Sequence, residues 1–322
     1  MDIIFYEAFE EEEKEIKKHL PKNINAEFTW KSIQEYGSKE PPAKIISTRT
    51  QSIYPIKWAK KIKGILSRST GYDHLKEYQK KVSADISYGY LPLYCHRAVA
   101  EQALLLWMSL LRKLPQQIKS FSRFHRDGLT GRETEEKTLL VVGVGNIGSE
   151  VAKIGHGLGM KVLGVEIDIK HPNEKYVSID EGIKKADIIV CAMNLTDKNH
   201  NYFNFELLMK AKKDAVFVNI SRGEISPSLE LLKVLNKNHL SGVALDVFDS
   251  EKELANVLRN NAKTNNEETL ATLKLMKKSN VILTPHNSFN SVEGVKRKSE
   301  QSVEQTISFL KTGKFIWSVP GV

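Results

Sequence analysis

The run Val141-Val142-Gly143-Val144-Gly145-Asn146-Ile147-Gly148 constrains this chain more than any other feature. It is a G-x-G-x-x-G sequence with a strand-like run before it (Thr138 to Val142), a helix-like run after it (Ile147 to Leu158) and an acid further on, the context that gives such a loop physical meaning. Gly143 allows the tight turn, Gly145 lets the backbone approach a pyrophosphate, and Gly148 lets helix and strand pack closely. The helix start at Asn146 and Ile147 offers unpaired N–H groups and a positive dipole end to phosphates. The next strand, Lys161 to Val165, ends at Glu166, near the roughly 20 residues past the loop where a carboxylate takes a ribose hydroxyl. Asp168 adds a second acid and no arginine stands beside Glu166, so a 2′-phosphate is repelled and NAD is expected over NADP. The plainer alternative is a surface turn with an incidental acid.

The loop sits in a longer alternation of strands and helices. Ile3 to Tyr6, Lys44 to Ser47 and Gly64 to Ser67 are short apolar runs, and Glu10 to Leu20 is a charged helix stopped at Pro21. After the glycine loop come Ile188 to Ala192, Ala215 to Ile220, Ser241 to Ala244 and Val281 to Leu283. This pattern predicts two doubly wound α/β domains with parallel sheets. One is a Rossmann-type dinucleotide-binding domain over 98–287. The other is a smaller, discontinuous, flavodoxin-like substrate domain built from 1–97 and 288–322, with the substrate in the cleft. Ala98 to Leu114 is apolar on almost every side, which predicts a helix buried all round that crosses between domains or lies in a homodimer interface. Ser291 to Lys311 predicts a second long helix returning to the first domain.

The bulk composition fits two such domains and excludes several other classes. A chain of 322 residues with 41% hydrophobic and 27% charged residues reads as a soluble globular protein. The longest apolar stretch, Ala103 to Met108, is far short of the ~18 residues of a membrane span, and no secretion signal opens the chain. Cys95 and Cys191 have no paired spacing, so neither a disulfide framework nor a metal cluster is expected, which fits the cytoplasm. The net charge of +9 comes from scattered lysines rather than a basic stripe, so a solvated surface is expected and a nucleic-acid partner is not.

Three further segments end on chemically useful side chains. These are Val218-Asn219-Ile220-Ser221-Arg222-Gly223, Gly242-Val243-Ala244-Leu245-Asp246-Val247-Phe248 leading to Glu251, and Ile282-Leu283-Thr284-Pro285-His286. Ligands of open α/β sheets bind beyond the carboxyl ends of the strands. An arginine there can hold a carboxylate bidentately, a histidine can transfer a proton, and a neighbouring carboxylate can orient the histidine. Singly, each residue has a bland alternative: Arg222 as a cap or surface pair, Glu251 as a solvated acid, His286 as a satisfied loop histidine. Together, downstream of a dinucleotide loop, they favour catalysis. Asp246 is placed with the cofactor-binding residues.

The ordered set G-V-G-N-I-G, V-N-I-S-R-G, G-V-A-L-D-V-F and T-P-H resembles the D-2-hydroxyacid dehydrogenases, and is nearest in character to their D-lactate dehydrogenase branch. The resemblance implies an NAD-dependent oxidoreductase that moves a hydride between NAD and a small 2-oxo or 2-hydroxy acid of D configuration. It implies Arg222 as substrate-binding, His286 as acid/base and Glu251 as its partner. It also implies that Ser69-Thr70-Gly71-Tyr72-Asp73 is a carboxylate loop with the Thr70 and Gly71 N–H groups as donors, and that Tyr94 is an aromatic at the substrate. Pyruvate and D-lactate are the expected pair; phosphoglycerate, glyoxylate and phosphite oxidation are rivals, as is a non-catalytic NAD-sensing corepressor. Two departures stand out: Lys252 follows Glu251 where the family has proline, and the stretch Lys252 to Lys278 is long.

Overall fold

The computed structural model describes residues 1–321, which form two compact units: Met1–Cys95 with the segment from Asn290, and His96–Phe289. The divisions fall two residues to either side of the expected 97/98 and 287/288.

The first unit is built on five parallel strands, β1 (Ile3–Phe5), β2 (Ala26–Phe28), β3 (Ile45–Thr48), β4 (Gly64–Ser67) and β5 (Ser87–Gly89), in the order β2-β1-β3-β4-β5. This is the flavodoxin-like order. β1, β3 and β4 are buried along their whole length, because a parallel sheet is covered on both faces, and so they read as unbroken apolar runs. The two outer strands escaped the sequence reading. β2 carries Glu27 at its centre and is only half-buried, and β5 is three residues ending in glycine. Helix α1 (Glu10–His19) opens on four glutamates and closes on Lys17, Lys18 and His19, matching both ends of its dipole. Two further helices, α2 (Ile33–Tyr36) and α3 (Asp73–Lys81), complete the N-terminal part. Trp58, Ile46, Ile65, Leu75 and Tyr88 make the core beside the sheet.

The second unit has helices α4 (His96–Leu111), α5 (Leu114–Ser120), α6 (Asn146–Gly157), α7 (Ile179–Lys185), α8 (Phe205–Leu208), α9 (Ser228–Asn236), α10 (Glu251–Asn260) and α11 (Glu267–Leu275). Its strands are β6 (Thr138–Val142), β7 (Lys161–Val165), β8 (Ile188–Cys191), β9 (Val216–Asn219), β10 (Gly242–Leu245) and β11 (Val281–Leu283), all parallel, in the order β11-β10-β9-β8-β6-β7. The chain winds outward from β6 to β7, then returns past β6 to β8, which makes the exit of β6 the topological switch point. The long stretch after Glu251 is folded as α10 and α11, the latter packed on α9. The last helix, α12 (Val292–Thr312), belongs to the first unit and packs on α1.

Helix α4 corrects the expectation of burial on all sides. Ala100, Ala103, Leu106 and Trp107 are buried against α6 and the sheet, but Leu105 is 54% exposed. The helix also stops at Leu111. Pro115 lacks the N–H a continuing helix needs, and the chain turns at Lys113 with φ +54° before restarting as α5. Among the described residues no helix is long and apolar enough to cross a membrane.

Candidate active site

The glycine loop has the geometry its sequence demands. Gly143 sits at φ +95°, and a Cβ there would lie 2.6 Å from the Met193 nitrogen. Its N–H donates to the Val165 carbonyl at 2.9 Å, which ties the exit of β6 to that of β7. A Cβ on Gly148 would lie 1.9 Å from the Gly143 carbonyl oxygen, so α6 presses directly on the loop. Gly145 differs: nothing lies within 4 Å of where its Cβ would be. Open space beside the first N–H groups of a helix, those of Asn146 and Ile147, suits the pyrophosphate of a dinucleotide. Glu166 directly follows β7, where one of its oxygens accepts from the N–H of Ile167 at 2.8 Å and of Asp168 at 3.3 Å.

Three neighbouring strand exits carry the next residues. Asn219 closes β9 fully buried; its amide nitrogen donates to the Arg222 carbonyl at 2.8 Å and to Ser226 Oγ at 2.6 Å, and its oxygen accepts from the Ser221 N–H at 2.9 Å. These bonds fold Ser221-Arg222-Gly223 around one side chain. Arg222 is extended and half-buried, and its Nη1 donates to the Ser221 carbonyl at 2.9 Å. Gly223 is pressed on the next exit, since a Cβ there would lie 1.8 Å from the Phe248 carbonyl carbon.

Beyond β10, Ser250 takes φ +56° and turns the chain so that Glu251 opens α10. Both Glu251 carboxylate oxygens lie 2.9 Å from Nδ1 of His286, and each side chain is about one-fifth exposed. A carboxylate can only accept, so Nδ1 carries the hydrogen and Nε2 is the nitrogen left for a reacting group.

Asp246, expected among the cofactor-binding residues, holds the loop after β11 in this structure. Its buried carboxylate accepts from Thr284 Oγ1 at 2.6 Å, from the Asn287 N–H at 2.8 Å and from the Ser288 N–H at 2.9 Å. The loop after β11 is thereby folded around Asp246 with His286 at its apex, at φ +51°. A left-handed non-glycine backbone costs on the order of 1–3 kcal/mol and persists only where the surroundings over-determine it; here the Asp246 network does so. Neither Asn219 nor Asp246 could be given this role from spacing alone. The available signal was a polar residue at the end of an otherwise apolar strand.

In the first unit, Thr70 and Gly71 follow the exit of β4. Ser67, Ser69 and the Gly71 carbonyl are linked in series, with Ser67 Oγ to Ser69 Oγ at 2.6 Å and Ser69 Oγ donating to Gly71 O at 2.7 Å. Among the described residues, no acceptor takes the Thr70 or Gly71 N–H. Thr70 Oγ1 lies 3.4 Å from Cys95 Sγ, which brings the loop next to the Tyr94-Cys95 segment. Tyr94 is buried, and burial above all holds its phenol well above the usual range.

Beneath this loop lies a buried ionic cluster that spacing did not reveal. Arg68 Nε donates to Glu12 at 2.8 Å, Nη1 to Ser47 Oγ at 3.0 Å and Nη2 to the Tyr6 carbonyl at 2.7 Å. Lys298 Nζ lies 2.7 Å from the same Glu12 oxygen as Arg68 Nε, and all three charged side chains are fully buried. Burial works to raise the Glu12 pKa, but the charges of Arg68 and Lys298, with the Arg68 hydrogen bond and the charge of Arg49, outweigh it and hold it at about 2.

A parallel sheet with a dinucleotide cradle at its switch point and an acid–histidine pair at two adjoining strand exits defines the class of nucleotide-dependent dehydrogenases. Residues 104–288 match the family model of the D-isomer specific 2-hydroxyacid dehydrogenase NAD-binding domain. The chain is 32% identical over 265 residues to a 2-hydroxyacid dehydrogenase homolog of Zymomonas mobilis, covering 79% of this chain and 77% of that protein. It is 32% identical over 247 residues to an aromatic 2-oxoacid reductase of Clostridium sporogenes, covering 74% and 73%. Its fold superposes on a D-lactate dehydrogenase of Aquifex aeolicus, solved with NAD and lactic acid, with a TM-score of 0.85 at 26% identity over 98% of this chain and 99% of that one. The chain belongs to the D-isomer-specific 2-hydroxyacid dehydrogenase family, and it is an NAD-dependent dehydrogenase.

Proposed function

We propose that the enzyme reduces small 2-oxo acids to D-2-hydroxy acids, with pyruvate as the simplest substrate and D-lactate as its product. The observation that carries this reading is the Glu251–His286 pair, both oxygens 2.9 Å from Nδ1. Bound NADH supplies the hydride. The chain's own residues do the rest. The guanidinium of Arg222 receives the substrate carboxylate. Arg222 also faces the 2-oxo oxygen, where a fixed positive charge matters most as negative charge develops. His286 gives the proton on Nε2 to that oxygen, while Glu251 holds the opposite nitrogen and balances the imidazolium charge. In the oxidation direction the same nitrogen takes the proton back.

In the cofactor site, Gly143, Gly145 and Gly148 with Asn146 and Ile147 shape the pyrophosphate cradle, and Glu166 takes the ribose hydroxyls. The enzyme works in the cytoplasm as a homodimer. Support for the dimer comes from α5 and the turn after it, where Ile118, Phe121 and Phe124 are exposed together.

NADH oxidation over a panel of pyruvate, glyoxylate, phenylpyruvate and phosphohydroxypyruvate, with chiral chromatography of the products, tests the reading. D-hydroxy acids are expected. L products, or no turnover with any 2-oxo acid, would sink it.

A further inference from the structure

Helix α10, which Glu251 opens, has a weak start of its own. Ser250 stands at its N-cap with φ +56°, outside the extended backbone of an ordinary cap, and its side chain caps no N–H of the helix. The Ser250 hydroxyl donates to Asp249 Oδ1 at 3.0 Å instead. Lys252, directly after Glu251, is exposed and lacks the fixed φ that a proline would bring. Leu254 is buried and anchors the underside of the turn, but the uncapped N–H groups of a first turn fray. Yet Glu251 meets His286 Nδ1 with both oxygens at 2.9 Å, a contact that allows the turn little play.

The restraint comes from the other arm of the α10–α11 hairpin. Thr264 Oγ1 donates to the Glu253 carboxylate and accepts from the Asn266 N–H at 3.0 Å. Asn266 Nδ2 donates to Ser250 Oγ at 3.3 Å, while its Oδ1 accepts from the Thr269 N–H at 2.9 Å and so caps α11. The directions are fixed. A carboxylate only accepts, so the single hydrogens of Thr264 and Ser250 are committed to Glu253 and Asp249, and Asn266 supplies the donor to each hydroxyl. Helix α11 is itself anchored: Ala271 and Leu275 are buried, and Thr272 Oγ1 lies 2.7 Å from Ser228 Oγ of α9. The residue before Glu251 and the second residue after it are thus both tied to a helix seated on the core.

We propose that Thr264 and Asn266 are positioning residues for proton transfer: residues 252–278 fold back to hold the start of α10, and through it hold Glu251 against Nδ1 of His286. This inference rests on the proposed role of the Glu251–His286 pair and adds the part of the chain that keeps the pair in register. Both residues act through Glu251.

The test is a mutant cycle read in kcat for the best 2-oxo acid with NADH. Thr264→Val exchanges a hydroxyl for a methyl of the same shape. Asn266→Ser keeps a good cap for α11 but is too short to reach Ser250. Together they should lower kcat about tenfold, the scale of a small misplacement at a reacting group. Kd for NADH, from fluorescence titration, should stay within about twofold, because the glycine loop is untouched. In the Glu251→Gln background the same two substitutions should change kcat by less than about twofold, since the residue they position no longer carries the charge. If the double variant fails to fold, Thr264→Val alone is carried through the same cycle, with an expected loss of about threefold. An equal fold-loss in both backgrounds, or a kcat unmoved in the parent background, overturns the inference and leaves the proposed function standing. A Glu251→Gln enzyme as fast as the parent, or no turnover of any 2-oxo acid by the parent, removes the reading beneath it and the inference together.

Discussion

Glu251 meets Nδ1 of His286 through both carboxylate oxygens at 2.9 Å, a near-symmetric contact made by the first residue of a helix with a residue whose own backbone is left-handed. The contact sets the ring's orientation and its tautomer together. Glu251→Gln keeps the shape but removes the charge, and its amide can present N–H to Nδ1, which favours the wrong tautomer. We expect kcat for 2-oxo acid reduction to fall by on the order of 100-fold, since that is the scale of a positioned proton transfer. KM should change by less than about threefold, because the carboxylate is held elsewhere. Steady-state kinetics decide it, and a kcat within threefold of the parent would show that Glu251 is structural.

Cofactor choice is proposed to rest on Glu166. Ile167, the next residue, is fully exposed, so a substitution there disturbs no packing. The pair Glu166→Ala with Ile167→Arg removes the repulsion of a 2′-phosphate and adds a donor for it. The ratio of kcat/KM for NADH to that for NADPH should narrow by about tenfold or more. An unchanged ratio in the double variant places the ribose partner at another residue.

Acid stability should report on Glu12. Its pKa in the folded chain, about 2, lies below the ordinary 4.5, so the folded state binds fewer protons than the unfolded state between those values. Its contribution is therefore complete above pH 4.5 and is lost as pH falls toward 2. Glu12→Gln leaves Arg68 and Lys298 buried without their counter-charge, a change that costs about 3–5 kcal/mol at neutral pH. Urea midpoints for parent and variant across pH 7 to about 2.5 test this: the gap should be widest at neutral pH and shrink below pH 4.5. A gap independent of pH would mean that the loss comes from packing alone.

The proposed dimer has a compact test. Ile118, Phe121 and Phe124 are 67%, 75% and 77% exposed on one short segment, more apolar surface than an isolated helix face of a monomer usually leaves in water. Phe121→Glu with Ile118→Glu should convert a dimer to a monomer in sedimentation velocity at micromolar concentration. A parent that already sediments as a monomer refutes the assignment.

What the sequence by itself determined is whatever local chemistry forces. The glycine loop is legible because no other residue fits φ +95° at Gly143 or the contact of Gly148 with the Gly143 carbonyl. The inner strands are legible because two covered faces require unbroken apolar runs. Arg222, Glu251 and His286 could be picked out because strand ends in such sheets are where ligands bind. The tertiary structure alone decided which residues meet. Nothing in spacing says that Glu251 reaches His286, or that Asp246 anchors the His286 loop. Nothing in spacing brings Glu12, Arg68 and Lys298 together from one end of the chain to the other. Burial makes those choices: an acid fully removed from water must find its cations, and a loop held in a left-handed turn must find its acceptors, wherever in the sequence the partners stand.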